Sequence, residues 1–455
     1  MVESRPRLWL LPKGRIILPF IFAFLYFFLS SGELLHIQIS IFKPKITHVI
    51  AVLLFGYFWV IRRKIILPRP LFYPFLWILL SLICSSLFSA HPVRTQGYIA
   101  VYIFNFIFYF LLPLNLFQYF QPSKLLKIYM VSFLCLGLYA VFQIFLSLFG
   151  IYDPLATQRV GSVARGQAWT YEPSFYALYI TSYVMFKNAW AIFKPRTSFS
   201  MKETLKLLGI NCLLLASTST GLVFSYPAFC AVSLWMAFLR PVRGLASYAK
   251  RRIFNFIAFC GAFTAVLACL FWELFVESFF KFFYYGFMTH FSFYARWQGL
   301  VSSFNVFLQN PFFGVGVGGV GPYIYKNTSF YDINPEMLAE LESCDPTTIF
   351  TEVLASLGIV GCLGFIFLAF IFYRAFKTVI VNSQISEQDK LVSIALFISL
   401  IVLLIVLQFN QGLFRPCIWI HAGVVYGYLH RFSYMNLTKK PCLNNSSSII
   451  SSKFE

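Results

Sequence analysis

Two groups of residues could do chemistry in this chain. The first is Gln158-Arg159-Val160-Gly161-Ser162-Val163-Ala164-Arg165-Gly166, running into Trp169-Thr170-Tyr171-Glu172-Pro173-Ser174. The second is Tyr294-Ala295-Arg296-Trp297, followed by Asn310-Pro311-Phe312-Phe313-Gly314-Val315-Gly316-Val317-Gly318-Gly319, then Asp345-Pro346-Thr347-Thr348 and Glu352. A guanidinium stays charged and offers a planar fork that matches phosphate oxygens. A nearby carboxylate can accept a proton from a reacting hydroxyl. The same residues also have plainer uses. Arg159 and Arg165 can touch lipid phosphates, and Glu172 sits before Pro173 at a predicted helix start, where negative charge is favoured. Asp345 can cap the helix that follows. Glycines 314 to 319 either let backbone approach a ligand closely or form a turn.

Several other chemistries are disfavoured. The glycine run matches a dinucleotide fingerprint only loosely, with no strand–helix unit around it. The six histidines show no metal-ligand spacing, so the sequence predicts no metal site. Most of the ten cysteines lie in apolar stretches without a CxxC pair, against a disulfide framework or zinc ribbon. Ser217-Thr218-Ser219-Thr220 has no histidine or acid beside it and reads as a turn.

The elements that must position these residues are apolar helices. The chain of 455 residues is 59% hydrophobic and only 11% charged, with 57 phenylalanines. Soluble domains are about 25% charged, and disorder requires low hydrophobicity. A hydrocarbon core about 30 Å thick needs roughly 20 apolar residues per helix. The hydropathy pattern predicts an all-α, polytopic bundle of about 12 spans: 16–31, 46–61, 71–89, 97–117, 128–150, 173–193, 204–217, 221–239, 253–276, 348–373, 391–410 and 412–430. The seventh and eighth are read as a tight hairpin with Ser217–Gly221 at its tip. With both termini cytoplasmic, 27 of the 36 Lys and Arg fall on the inner side and 9 on the outer, as the positive-inside rule requires. The net charge of +20 therefore reflects topology, and nucleic acid is not an expected partner. Segments 151–172 and 277–347 become the long outer loops, the larger carrying short helices, one of them on the membrane surface near Arg296. Residues 1–435 form one membrane domain, and 436–455 form a disordered cytoplasmic tail.

In order and position, four segments resemble the bacterial O-antigen ligase and polymerase superfamily. Arg159-Val160-Gly161 with Tyr171-Glu172-Pro173-Ser174 is similar to its Arg-x-x-Gly…Glu-Pro-Ser segment. Ala216-Ser217-Thr218-Ser219-Thr220-Gly221 resembles its polar break between two helices. Arg296-Trp297 with Asn310-Pro311-Phe312-Phe313-Gly314-Val315-Gly316 resembles its arginine and Asn-Pro-x-x-Gly-x-Gly loop. Thr351-Glu352-Val353-Leu354-Ala355-Ser356-Leu357-Gly358-Ile359-Val360-Gly361 resembles the helix after its large outer loop. The ligases carry a histidine ten residues or so before that helix's glycine, where this chain has Thr347 and Thr348, so polymerases fit better than ligases.

The resemblance implies a metal-independent membrane glycosyltransferase without a cofactor, in the bacterial inner membrane with its active site facing the periplasm. Its partners would be undecaprenyl-diphosphate-linked glycan donor and acceptor, the lipid bilayer and a chain-length regulator. Arg159, Arg165 and Arg296 would hold the diphosphate, where charge develops as it leaves. Glu172 or Asp345 would be the base, and Gly314, Gly316 and Tyr171 would line the substrate loop. Two alternatives stand beside this: a ligase moving glycan from undecaprenyl diphosphate onto lipid A-core, and a twelve-span flippase or transporter. Transporters often show related halves and midplane ionisable groups, and neither is visible in this sequence.

Overall fold

A computed structural model describes residues 13–35, 45–62, 65–151, 153–156, 159–160, 163–194, 201–217, 220–239, 242, 249–258, 291–323, 346, 348–409 and 412–435. The chain is mostly helical. The helices are α1 (Lys13–Leu29), α2 (Ile46–Arg62), α3 (Arg69–Ser86), α4 (Pro92–Phe104), α5 (Leu112–Tyr119), α6 (Pro122–Leu148), α7 (Pro173–Phe193), α8 (Met201–Leu215), α9 (Thr220–Phe238), α10 (Phe291–Gln309), α11 (Ile349–Val381), α12 (Glu387–Val406) and α13 (Pro416–Met435). A π-helical turn, Asn105–Leu111, joins α4 to α5. Two-residue strands β1 (Arg159–Val160) and β2 (Val163–Ala164) pair antiparallel, Arg159 opposite Ala164.

Five helical stretches among the described residues are long and apolar enough to cross a membrane: Arg69–Ser86, Pro92–Tyr119, Pro122–Leu148, Ile349–Val381 and Glu387–Val406. Shorter apolar helices lie at Pro19–Leu29, Ile46–Val60 and Ser225–Phe238. Helix is present in each apolar segment marked out by the hydropathy pattern; the ninth is described only to residue 258. The disordered tail expected at 436–455 and much of the segment 277–347 lie outside the described residues.

Sequence accounts for how these helices begin. Proline stands in the first turn of α3, α4, α6 and α7, where its missing N–H costs nothing. Thr348 caps α11, its hydroxyl accepting from Thr351 N, so the cap is Thr348 and not Asp345. Helix α7 is buried on nearly every face and packs along α12, which is likewise buried all round. Helices that are apolar all round belong in an interior. By contrast, α2 and α3 leave Leu53, Trp59, Val60, Tyr73, Trp77 and Leu80 exposed, as a lipid-facing surface would.

Polar side chains tie the interior together. His421 of α13 is fully buried, with Nδ1 bonded to Tyr129 OH of α6 at 2.9 Å and Nε2 to Ser399 Oγ of α12 at 3.0 Å. Six described cysteines are free thiols.

Alternate connections gather at opposite ends of the bundle. At one end, termed the upper end, Leu34 N bonds Trp169 O, Gly166 N bonds Ala216 O, Thr95 Oγ1 bonds Val317 O, and Phe350 N bonds Gln408 Oε1. At the other, Asn115 bonds both backbone atoms of Ile66, Gln118 bonds Gly427 O, and Tyr428 bonds Asp389.

Candidate functional site

The segment between α6 and α7 lies across the upper end, and a buried glutamine holds it there. Gln143, fully buried on α6, donates from Nε2 to Ala168 O at 2.9 Å. Its Oε1 accepts from Ala168 N at 2.7 Å and Gln167 N at 3.2 Å. Ala168 is the one described non-glycine residue with a left-handed backbone, φ 50°. That conformation is unfavourable for alanine by about 1–2 kcal/mol, and the three glutamine bonds hold it. Gln167 Nε2 bonds Leu155 O at 2.7 Å, and Thr170 Oγ1 bonds Gln167 O and Glu172 O. The result is a knot of backbone and amide bonds that delivers Tyr171 and Glu172 to the N-terminus of α7.

Glu172 occupies the N-cap position of α7 but makes no side-chain cap bond. Its exposed carboxylate accepts instead from Ser174 Oγ at 2.9 Å. Arg165, half-buried, donates from Nη2 to Ser217 O at 3.3 Å. Burial pushes the Arg165 guanidinium down from its ordinary value, and the Glu172 carboxylate draws it back up. Glu172 is thus near enough to bear on the Arg165 charge, while the turn after α8 bonds the same guanidinium. Tyr171 is exposed beside them. Arg159 is placed by its backbone in β1, in the same segment. The sequence grouping of Arg159, Arg165, Tyr171 and Glu172 is thus one place in the fold.

Beneath this loop lies a cluster that spacing along the chain did not reveal. Glu33, 1% exposed, follows α1 and pairs with Arg415, which precedes α13. Glu33 Oε2 also accepts from Tyr171 N, at 3.4 Å. The Arg415 guanidinium lies 3.2 Å from the ring centroid of Phe175, in the first turn of α7. Lys45, before α2, is drawn into the same neighbourhood: burial pushes its ammonium down, Glu33 pulls it up and Arg415 pushes it down again. Trp169 Nε1 donates to Ser31 Oγ at 2.7 Å, and Tyr179 OH to Ser30 O at 3.0 Å. The connections before α2 and before α13 thus support the loop that carries Glu172. The only hint in the sequence was a lone carboxylate, Glu33, at the end of an apolar run.

The glycine-rich loop does something different from lining an open cleft. Helix α11 is interrupted at Gly358, with φ 62° and ψ −164°. An interruption strands donors and acceptors on both sides, and residues 311–316 take them up. Val315 N bonds Ala355 O at 2.9 Å and Gly316 N bonds Ser356 O at 3.0 Å, while Ile359 N bonds Pro311 O at 2.8 Å and Val360 N bonds Phe312 O at 3.2 Å. Gly314 has φ 66°, and a Cβ there would come within 2.5 Å of Ala355 O and Ser356 O. The close backbone approach that glycine permits is made, at this position, to the chain's own helix. On its other side the loop packs on the first turn of α4, where Thr95 Oγ1 bonds Val317 O at 2.9 Å and Arg94 flanks Gly318.

The two groups share one end of the bundle through intermediates. Tyr98, which also flanks Gly318, packs against Phe414 with ring centroids 5.0 Å apart. Phe414 adjoins Arg415, and Asn105 Nδ2 holds Phe414 O at 2.8 Å. Arg296 lies in α10, whose last turn leads into the glycine loop, and α10 packs on α11. Asp345 lies outside the described residues. Glu352, one turn into α11, is buried. Among the described residues no three of His, Cys, Asp and Glu gather as metal ligands would.

No protein-family model matches the chain, and no curated protein matches it.

Proposed function

We propose that the chain is a glycosyltransferase of the bacterial inner membrane that extends a lipid-linked glycan at the periplasmic face. In this reading twelve spans place both termini in the cytoplasm and the upper end outside. The observation that carries it is a clamped loop at one end of an apolar bundle that holds Arg165 within electrostatic reach of Glu172, with Arg159 in the same loop. Supporting it is the resemblance of four ordered segments to O-antigen polymerases, including Glu-Pro-Ser at Glu172-Pro173-Ser174.

The reaction is a displacement at a sugar's anomeric carbon. A hydroxyl of the acceptor repeat unit attacks that carbon, and its bond to the donor's diphosphate oxygen breaks. Undecaprenyl diphosphate leaves with the electron pair. Arg159, Arg165 and Arg296 hold the developing negative charge, where fixed cations in a partly dry site act most strongly. Glu172 or Asp345 takes the hydroxyl proton. Tyr171, exposed beside Glu172, offers a sugar-stacking surface.

A transporter is the second reading, favoured by one observation: discontinuous helices are common at transport sites, and α11 is discontinuous at Gly358. Against it, the broken helix's backbone groups are taken up by Pro311–Gly316 of the same chain.

Purified protein supplied with a lipid-diphosphate-linked repeat unit should yield a ladder of longer glycans, lost in Arg159→Ala and Arg296→Ala variants that still express. Transfer of preformed glycan onto lipid A-core without a ladder would favour the ligase. Passage of substrate across vesicles with no new glycosidic bond would favour the transporter and end the enzymatic reading.

A further inference from the structure

Glu33 and Arg415 lie 382 residues apart, and their meeting is the longest-range polar contact at the upper end among the described residues. Buried ion pairs are weak sources of net stability, because desolvation offsets their attraction. This pair has a second engagement that a simple fastening between helices would not need. Glu33 divides its two oxygens, Oε1 going to Arg415 and Oε2 to the backbone N–H of Tyr171. Arg415 in turn lies over the ring of Phe175, three residues beyond Glu172. The connection carrying Glu33 also grips the residue before Thr170 at two points, Leu34 N donating to Trp169 O at 3.0 Å and Trp169 Nε1 donating to Ser31 Oγ. Tyr171 and Glu172 are therefore held from below on both flanks by one carboxylate and its cation.

We propose that Glu33 and Arg415 are positioning residues, the seat that fixes Tyr171 and Glu172 for reaction. The functional part of this rests on the glycosyltransferase reading; the positional part does not. The essential claim is that Glu33 acts as a hydrogen-bond acceptor for Tyr171 and not only as a counter-ion.

Two neutral double variants separate these roles. Glu33→Gln with Arg415→Met removes both charges and keeps an acceptor beneath Tyr171 N. Glu33→Leu with Arg415→Met removes both charges and the acceptor. Loop order is read by the rate at which a membrane-impermeant maleimide labels Tyr171→Cys, in a chain carrying Cys212→Ser, which removes the exposed thiol of α8, and Cys344→Ser, which removes the one thiol of the segment 277–347. The leucine variant should label about fivefold faster than the glutamine variant, which should stay near the parent. Equal rates in the two would overturn the proposal.

The charge-swapped chain Glu33→Arg with Arg415→Glu is the second test, should the leucine variant fail to assemble. It restores an ion pair but puts no acceptor under Tyr171. It should purify and melt like the parent yet label fast; parental labelling would reduce the pair to a fastening and overturn the proposal.

Chain growth is measured separately with Tyr171 intact. The glutamine double should keep a kcat several-fold above that of the leucine double. If labelling divides the variants as stated while no form, parent included, extends a glycan, the enzymatic reading fails and the positional claim stands.

Discussion

Replacing Gly358 by alanine should loosen the joint between α11 and the glycine-rich loop more than any other single methyl addition. At φ 62° and ψ −164° the backbone occupies a region that only glycine enters readily, and forcing another residue there costs about 1–3 kcal/mol. The new Cβ would lie 2.2 Å from Phe312 O, 2.4 Å from Phe312 C and 2.7 Å from Phe313 N. All three are backbone atoms, so no side chain can swing aside. Moving Phe312 would break Val360 N to Phe312 O and strain Ile359 N to Pro311 O, each worth about 0.5–1.5 kcal/mol net. The sum is about 4 kcal/mol. It can be read by unfolding the detergent-solubilised protein with increasing SDS and comparing midpoints. Gly97→Ala and Gly209→Ala are the controls: they lie in helices α4 and α8 with nothing within 4 Å of the added carbon. They should be neutral or gain up to about 1 kcal/mol from helix propensity. A Gly358→Ala chain within about 1 kcal/mol of these controls would refute the argument that the loop is woven into the broken helix. Gly314→Ala strains the same joint from the loop side, so its effect combined with Gly358→Ala should fall well short of additive.

Gln143→Leu should destabilise by about 3 kcal/mol, because Ala168 N, Ala168 O and Gln167 N lose their partner in a buried place. Limited proteolysis between α6 and α7 should rise in that variant, and unchanged cleavage would contradict the clamp. Lys45→Met should stabilise at neutral pH, since burial depresses the ammonium's pKa in the folded chain. The cost of holding that charge is present below the depressed value and disappears as pH rises toward the usual lysine value. The gain from Lys45→Met should accordingly shrink with rising pH, and a gain independent of pH would remove the charge from the explanation. Glu172→Gln should lower glycan extension at least a hundredfold with little change in melting, because the carboxylate is exposed and makes no helix-cap bond.

Much of the architecture follows from local rules. Backbone amides cannot go unpaired in lipid, so apolar runs near span length become helices, and the helices stand where the hydropathy pattern places them. Proline and threonine set their starts for equally local reasons. Arg165 and Glu172 are close in sequence, and a loop that must turn into α7 keeps them close in space. The π turn at Asn105–Leu111 and the break at Gly358 were not legible, because nothing in an apolar run separates a regular helix from an interrupted one.

The same limit holds for the site. Its arginines, Tyr171 and Glu172 stand out because charge is scarce in this chain and local order keeps them together. Tertiary packing alone decided that Gly314 closes on Ala355 and Ser356, that Gln143 holds Ala168, and that Glu33 meets Arg415 under Tyr171. Those partners are remote in sequence and carry no periodic signal. Which helix ends become neighbours depends on how side chains fill the bundle, and that is a property of the whole packed chain.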